Sequence, residues 1–263
     1  MMQSERPGAV ALITGASSGI GAAFARRLAA AGYDLVLVAR RGDRLAALAD
    51  ELAQAHRVQA EPLPADLTTD ADVARVADRI AALPALELLI NNAGFGAEGR
   101  FALADLDPQL DMIRLHVLAS VRLTRAALPG MIARGRGGII NVASLAGFMA
   151  LPRATTYCAT KGYLITFSRA LRLELRGTGV RVQALCPGFT RTEFHARQSS
   201  SAAARLPGFL WMSADAVAEA SLRALARGQT ICIPGWGNRL LKMLGASPLA
   251  DWILPHVATD GNR

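Results

Sequence analysis

Cysteine is scarce. The 263 residues hold three, Cys158, Cys186 and Cys232, far apart, with no CxxC pair and no histidine at metal-ligand spacing. That argues against both a disulfide framework and a zinc site, and makes a reducing cytoplasm the expected compartment. Lysine is scarcer still, at Lys161 and Lys242 alone, so the formal net charge of +8 is carried almost entirely by arginine. Those arginines are dispersed and aromatics make up only 5%, with no basic run that interleaves the two, so nucleic acid is not an expected partner. No stretch reaches the roughly eighteen uninterrupted apolar residues of a membrane span, and MMQSERPGAVALITG lacks a basic segment followed by a long apolar one. A soluble protein is expected. Interior linkers and internal repeats are also lacking, which favours one domain, and 52% apolar content is ample for its core.

What the chain does have is a regular alternation of strand and helix. AVALIT (9–14) fits a strand buried on both faces, and the glycine-rich turn TGASSGIG (14–21) follows at once. Helical spacing then runs through Phe24, Leu28 and Ala31, with Gly32 in a C-terminal cap position. Further strands are expected at 33–39, near 58–64, at LELLI (86–90), GGIINVAS (137–144), VRVQALC (180–186) and QTICIP (229–234), and helices at 43–55, 70–83, 107–133, 155–175 and 213–227. This pattern belongs to the α/β class, a doubly wound Rossmann-type parallel sheet. Strand, glycine turn and helix together form a mononucleotide-binding beginning: Gly15 allows the turn, Gly19 the close approach of a diphosphate, and Gly21 the packing of helix on strand. The second strand ends in Arg40 and Arg41, where an NAD-binding unit would offer an acidic side chain to the ribose hydroxyls. Arginine there suits a 2′-phosphate, with Ser17 or Ser18 able to share it, so NADP(H) is expected in preference to NAD(H).

The second constellation is Ser144, Tyr157 and Lys161. Residues four apart share a helix face, so a helix over 155–175 sets phenol and ammonium side by side. An adjacent cation favours the phenolate and is expected to lower the tyrosine pKa toward general acid/base work, while the Ser144 hydroxyl bonds the same substrate oxygen. An ordinary helix with a packed tyrosine and a solvated lysine has the same spacing, so the pair carries weight only in company.

Taken together, TGASSGIG at 14–21, Asp66 after the third strand, NNAG at 91–94, Ser144, the YxxxK pair at 157–161 and PGFTRT at 187–192 resemble the classical short-chain dehydrogenase/reductase family over about residues 8–235. The resemblance implies a single Rossmann domain of about seven parallel strands and an oxidoreductase acting on CH–OH or C=O. It makes Tyr157 the acid/base and has Lys161 both lower its pKa and hold the nicotinamide ribose. It places the adenine at Asp66 and Leu67, lines the cofactor with Ile20 and with Asn92, Ala93 and Gly94, and brings Pro187, Gly188, Thr190 and Thr192 to its diphosphate and carboxamide. It also implies a homodimer or homotetramer, by analogy through the helices at 107–133 and 155–175. The family often has an asparagine on the long helix before Ser144, holding a water of the proton relay. His116 stands at that place and is a catalytic candidate, although a lone histidine on an apolar helix is more often a satisfied core residue. His116→Asn is expected to keep or raise activity.

Phe95, Leu145, Phe148, Met149, Phe189, Phe194 and Trp211 are the expected pocket walls, so the substrate is expected to be a hydrophobic ketone or aldehyde, with Arg153 able to meet a charged group. A substrate loop is expected at about 189–212. The amphipathic tail at about 236–256 could cover the cleft, join a subunit interface or lie on a membrane surface. Two other classes stay open: a dinucleotide-binding regulator without turnover, and a basic scaffold for nucleic acid.

Overall fold

The computed structural model describes residues 8–97, 99–193 and 208–245. Its centre is a seven-stranded parallel sheet: β1 (Val10–Thr14), β2 (Asp34–Ala39), β3 (Ala60–Pro64), β4 (Leu86–Asn91), β5 (Gly137–Val142), β6 (Val180–Leu185) and β9 (Ile231–Cys232). The spatial order is β3-β2-β1-β4-β5-β6-β9. The chain reverses direction across the sheet between β1 and β4, and in open α/β sheets the ligand crevice lies outside the carboxyl ends of the strands at such a point. A separate two-residue pair, β7 (Thr190–Arg191) with β8 (Met212–Ser213), lies beyond β6.

Strand residues alternate between two apolar layers, as a strand's two-residue period requires. Ala11, Ile13, Leu35, Leu37, Ile140 and Val142 face one layer, built with α1 (Gly19–Ala30), α2 (Gly42–His56) and α7 (Ala214–Ala226). Leu12, Val36, Val38, Ile139 and Val182 face the other, with α3 (Asp70–Ala81), α5 (Ser120–Ala133) and α6 (Thr155–Glu174). Both faces are covered, which is why these strands read as continuous apolar runs. β3 is the exception in composition, since AEPLP holds two prolines. It is an edge strand, and the Ala65 N–H bonds back to Ala39, so the odd positions face β2 and the missing N–H groups of Pro62 and Pro64 fall on the free edge.

The helix expected over 107–133 is continuous but not uniform. α4 (Leu106–Ile113) passes into a π-helical turn at Arg114–Ala119 and then into α5. Such turns insert an extra residue and re-aim side chains, often at functional sites; this one carries His116 to the interior. Of the amphipathic tail, α8 (Trp236–Gly245) is described, and the rest lies outside the described residues. Among the described residues no helix is long and apolar enough to cross a membrane, and no group of metal ligands occurs.

Candidate active site

Thr14 organises the glycine turn. Its Oγ1 accepts the N–H groups of Asn92 (2.9 Å) and Ala93 (3.0 Å) and donates to the Ile90 carbonyl at 3.3 Å. In return the Asn92 Nδ2 donates to the carbonyls of Thr14 (2.8 Å) and Gly15 (3.2 Å), so the carboxyl ends of β1 and β4 are tied together. The chain packs on itself too closely here for side chains: a Cβ on Gly21 would lie 2.3 Å from the Gly15 oxygen, and Gly15 itself has φ +66. α1 begins immediately after. Its N-cap, Ser18, makes no side-chain capping bond and its first turn has no acidic residue, so the positive end of the helix is left to an anion. This cradle fits a dinucleotide diphosphate.

Basic residues lie beside that turn. Arg41 bonds the hydroxyls of Ser17 (3.0 Å) and Ser18 (2.8 Å) and also reaches Glu193 at 2.9 Å, while Arg44 meets Glu193 at 2.6 Å. Arg40 is largely exposed, with its nearest guanidinium nitrogen 4.0 Å from an Asp66 carboxylate oxygen.

At the carboxyl end of β5, Ser144 caps a short 3₁₀ turn (Leu145–Phe148) and its oxygen accepts the Ala146 N–H at 3.1 Å. That turn lies against α6 backbone to backbone: a Cβ on Gly147 would stand 2.7 Å from the Lys161 carbonyl carbon and 2.8 Å from the Gly162 nitrogen. The close approach brings the Ser144 hydroxyl into hydrogen-bond contact with the Tyr157 phenol. Lys161 is buried, donates from Nζ to the Val142 carbonyl at 2.8 Å, and sits 5.7 Å from the centre of the Tyr157 ring.

The short chain dehydrogenase family model matches residues 9–203. The chain belongs to that family. An uncharacterized oxidoreductase of Myxococcus xanthus is 37% identical over 246 residues, covering 92% of this chain and 94% of the relative. A short-chain dehydrogenase from Sphingobium yanoikuyae, solved with NADPH, is 36% identical with a TM-score of 0.82, over 97% of each chain. The bulky-bulky ketone specific alcohol dehydrogenase of Comamonas testosteroni is 32% identical with a TM-score of 0.80, over 98% of each. Other solved family members carry NADPH or NAD. The protein is thus an oxidoreductase of the short-chain dehydrogenase family.

Within that frame the structure corrects some expectations. Tyr157 does not have a lowered pKa: burial pushes the phenol up to about 12, and the Ser144 hydroxyl opposes this only in part. Of the two it is Lys161 whose pKa falls, since burial pulls its ammonium to about 7 and so weakens the cation that was expected to act on the phenol. Leu145, expected as a pocket wall, is buried in the core with its N–H on the Pro187 carbonyl. Phe194 lies outside the described residues.

His116 is buried, with both ring nitrogens engaged by protein. Nε2 accepts the Phe95 N–H at 3.2 Å, which fixes the proton on Nδ1 and directs it to Thr160 Oγ1 at 3.0 Å. Thr160 in turn donates to the Tyr157 carbonyl at 3.0 Å. Burial, with Lys161 adding to it, drives the imidazole well below its usual pKa, so it is neutral. The ring also meets Tyr157 edge-on, 6.0 Å between centres. Gly94 is part of the same packing, because a Cβ there would lie 2.7 Å from His116 Nε2.

The remaining expected residues make mostly local contacts. Asp66 accepts from the Thr68 N–H and hydroxyl, and Leu67 is buried beside it. Thr190 bonds the Gly188 carbonyl, Thr192 the Thr190 carbonyl, and a Cβ on Gly19 would stand 3.1 Å from the Thr192 methyl. The Phe189 and Trp211 rings meet at a tilt of 47°, with centres 5.5 Å apart. Arg153, an exposed residue with φ +66, gives its carbonyl to the Gly99 N–H. Sequence reasoning missed Gly147, Thr160, Arg44 and Glu193. None has a local signal, because each acts through a partner far along the chain.

Proposed function

We propose that the protein is an NADP(H)-dependent oxidoreductase that interconverts a hydrophobic ketone or aldehyde and its alcohol, with Tyr157 as the acid/base. The observation that carries the reading is the Ser144–Tyr157 hydrogen bond beside buried Lys161, at the carboxyl ends of the strands. The nicotinamide supplies hydride chemistry when bound. Tyr157 keeps its proton at neutral pH and is ready to give it to a substrate oxygen as negative charge develops there. Ser144, whose oxygen is already occupied by the Ala146 N–H, turns its own hydrogen toward that oxygen. Lys161, fixed on the Val142 carbonyl, orients the α6 end of the site. His116 takes a positioning role, bracing the first turn of α6 through Thr160, in place of the water-holding role of the family's asparagine.

The dinucleotide would be held by the turn carrying Gly15, Ser17, Ser18, Gly19, Ile20 and Gly21, by Arg40 and Arg41, and by Asp66 and Leu67. Asn92, Ala93, Gly94, Lys161, Pro187, Gly188, Thr190 and Thr192 complete the set. Preference for NADP(H) is supported by the arginines at the end of β2, where no acidic residue stands, and by the NADPH bound to the Sphingobium relative. An apolar substrate is supported by the Phe189–Trp211 pair, by Phe95 and Phe148, and by the Comamonas relative's specificity for bulky-bulky ketones. Exposed Ile113, Leu118, Ile132, Tyr163 and Leu173 on α4 to α6 support self-association as a dimer or tetramer. We place the enzyme in the cytoplasm on its free, buried cysteines.

The test is NADPH consumption, with NADH in parallel, over a panel of apolar ketones, aldehydes and 3-oxoacyl thioesters, with Tyr157→Phe as control. Turnover favouring NADPH and lost in the variant is expected. Tight NADPH binding without turnover on any member would favour the non-catalytic regulator.

A further inference from the structure

Glu193 is the one acidic side chain among the described contacts of Arg41 and Arg44, and it approaches them from a segment about 150 residues away in the chain. One carboxylate oxygen takes Arg41 at 2.9 Å and the other takes Arg44 at 2.6 Å, while Arg41 keeps its bonds to Ser17 and Ser18. Two guanidinium groups converge on one anionic group, and two hydroxyls stand on the near one, Arg41; guanidinium pairs of this kind are what a phosphate monoester wants, and here a carboxylate fills the seat.

We propose that Glu193 is a specificity-determining residue, an internal anion that occupies the seat of the NADP 2′-phosphate and must leave the arginines when that phosphate binds. The inference rests on the reading of Arg40 and Arg41 as 2′-phosphate ligands and extends it to Arg44 and Glu193.

Three observations support it. The arginines hold the Glu193 carboxyl down at about 2, so it is anionic throughout the physiological range and competes as a fixed charge rather than a titrating one. The contact is partly exposed on every member, with side-chain exposures of 33%, 51% and 44% for Arg41, Arg44 and Glu193, so water screens it and a dianionic phosphate can displace it. Glu193 also follows directly on Thr192, whose methyl group packs over Gly19 in the diphosphate cradle. Displacement of Glu193 therefore links the adenosine end of the cofactor to the segment that carries Thr190 and Thr192. NADH, with no 2′-phosphate, leaves the pair in place.

The experiment is direct binding by titration calorimetry of NADPH, NADH and adenosine 2′,5′-bisphosphate to the wild type and to Glu193→Gln. Removing an exposed competing charge of this kind should tighten NADPH and the bisphosphate about threefold and leave NADH unchanged, so that the NADPH/NADH ratio rises. Glu193→Asp, which keeps the charge on a shorter arm, should remain close to wild type. Equal changes for NADPH and NADH would make Glu193 a general support of the segment and overturn the inference, as would a Glu193→Gln ratio equal to that of wild type. Wild-type protein that binds NADH as tightly as NADPH and ignores the bisphosphate would overturn the cofactor reading itself, and this inference with it.

Discussion

The two ends of the crevice are built on opposite principles. At the end proposed to hold the adenosine, charges meet in the open: Arg40 with Asp66, and Arg41 and Arg44 with Glu193, all about one-third exposed or more. At the chemical end, polar groups are buried and bonded in series, from Phe95 through His116 and Thr160 to the backbone of Tyr157, and from Lys161 to Val142. Exposed pairs are screened and individually weak, so they can be exchanged for a ligand's charges at small cost to the fold. Buried groups have no water to fall back on, so each must keep its partner. The comparison teaches that the contacts are exchangeable at one end, as the proposed recognition requires, while geometry is locked at the other.

The largest effect should come from the locked end. Tyr157→Phe removes the proton donor and its bond with Ser144 while keeping the ring against His116, so kcat should fall by about 10³-fold with NADPH binding little changed. Steady-state rates beside a binding titration check this, and a variant retaining a tenth of the activity would remove Tyr157 from the acid/base role.

Lys161 gives the next effect, read as stability of the cofactor-free protein. Its folded pKa is about 7 against an ordinary 10.5, so between those values the unfolded chain binds more protons than the folded one. Stability contributed by this site therefore rises with pH across that window, by at most about 1.4 kcal/mol per unit. Lys161→Met lacks the term. Urea midpoints at pH 7 and pH 9 should show the wild type gaining on the variant as pH rises; parallel changes would mean that the ammonium is not held in a desolvated place. Thr160→Val comes below that. It keeps shape but leaves the His116 Nδ1–H unpaired in the core, a loss of about 2 kcal/mol measurable by denaturation. A loss confined to kcat would instead place the threonine in proton transfer.

Legibility divides along the same line. The glycine turn, the β2-end arginines and the YxxxK spacing were readable because each is a local pattern with its chemistry in adjacent residues. The strand and helix sequence was readable because both faces of the sheet are buried, which writes apolar runs into the chain. The π turn at Arg114–Ala119 was not, since an i→i+5 register leaves no mark in apolar spacing. Nor was the partner of His116, which stands 44 residues on, or that of Arg41, 152 residues on. The direction of the Tyr157 shift failed for a related reason: spacing fixes which cation is near, but burial outweighed it, and burial is a property of the packed whole.

The smallest effect tests the exposed side of the comparison away from any ligand. Arg26 on α1 makes a two-point contact with Glu51 on α2, at 2.8 and 2.9 Å, and joins two helices on one face of the sheet. By geometry it is a well-formed ion pair, and it raises the arginine pKa while lowering that of the glutamate. Yet both side chains are about half exposed, at 51% and 49%, so water competes for each hydrogen bond and ordering two long side chains offsets much of the attraction. Arg26→Gln should therefore cost about 0.5 kcal/mol, fall further toward zero at high salt, and leave cofactor affinity unchanged. A loss as large as that of Thr160→Val would mean that an exposed pair on this fold is worth as much as a buried hydrogen bond, and exposure would no longer explain why the adenosine end is exchangeable.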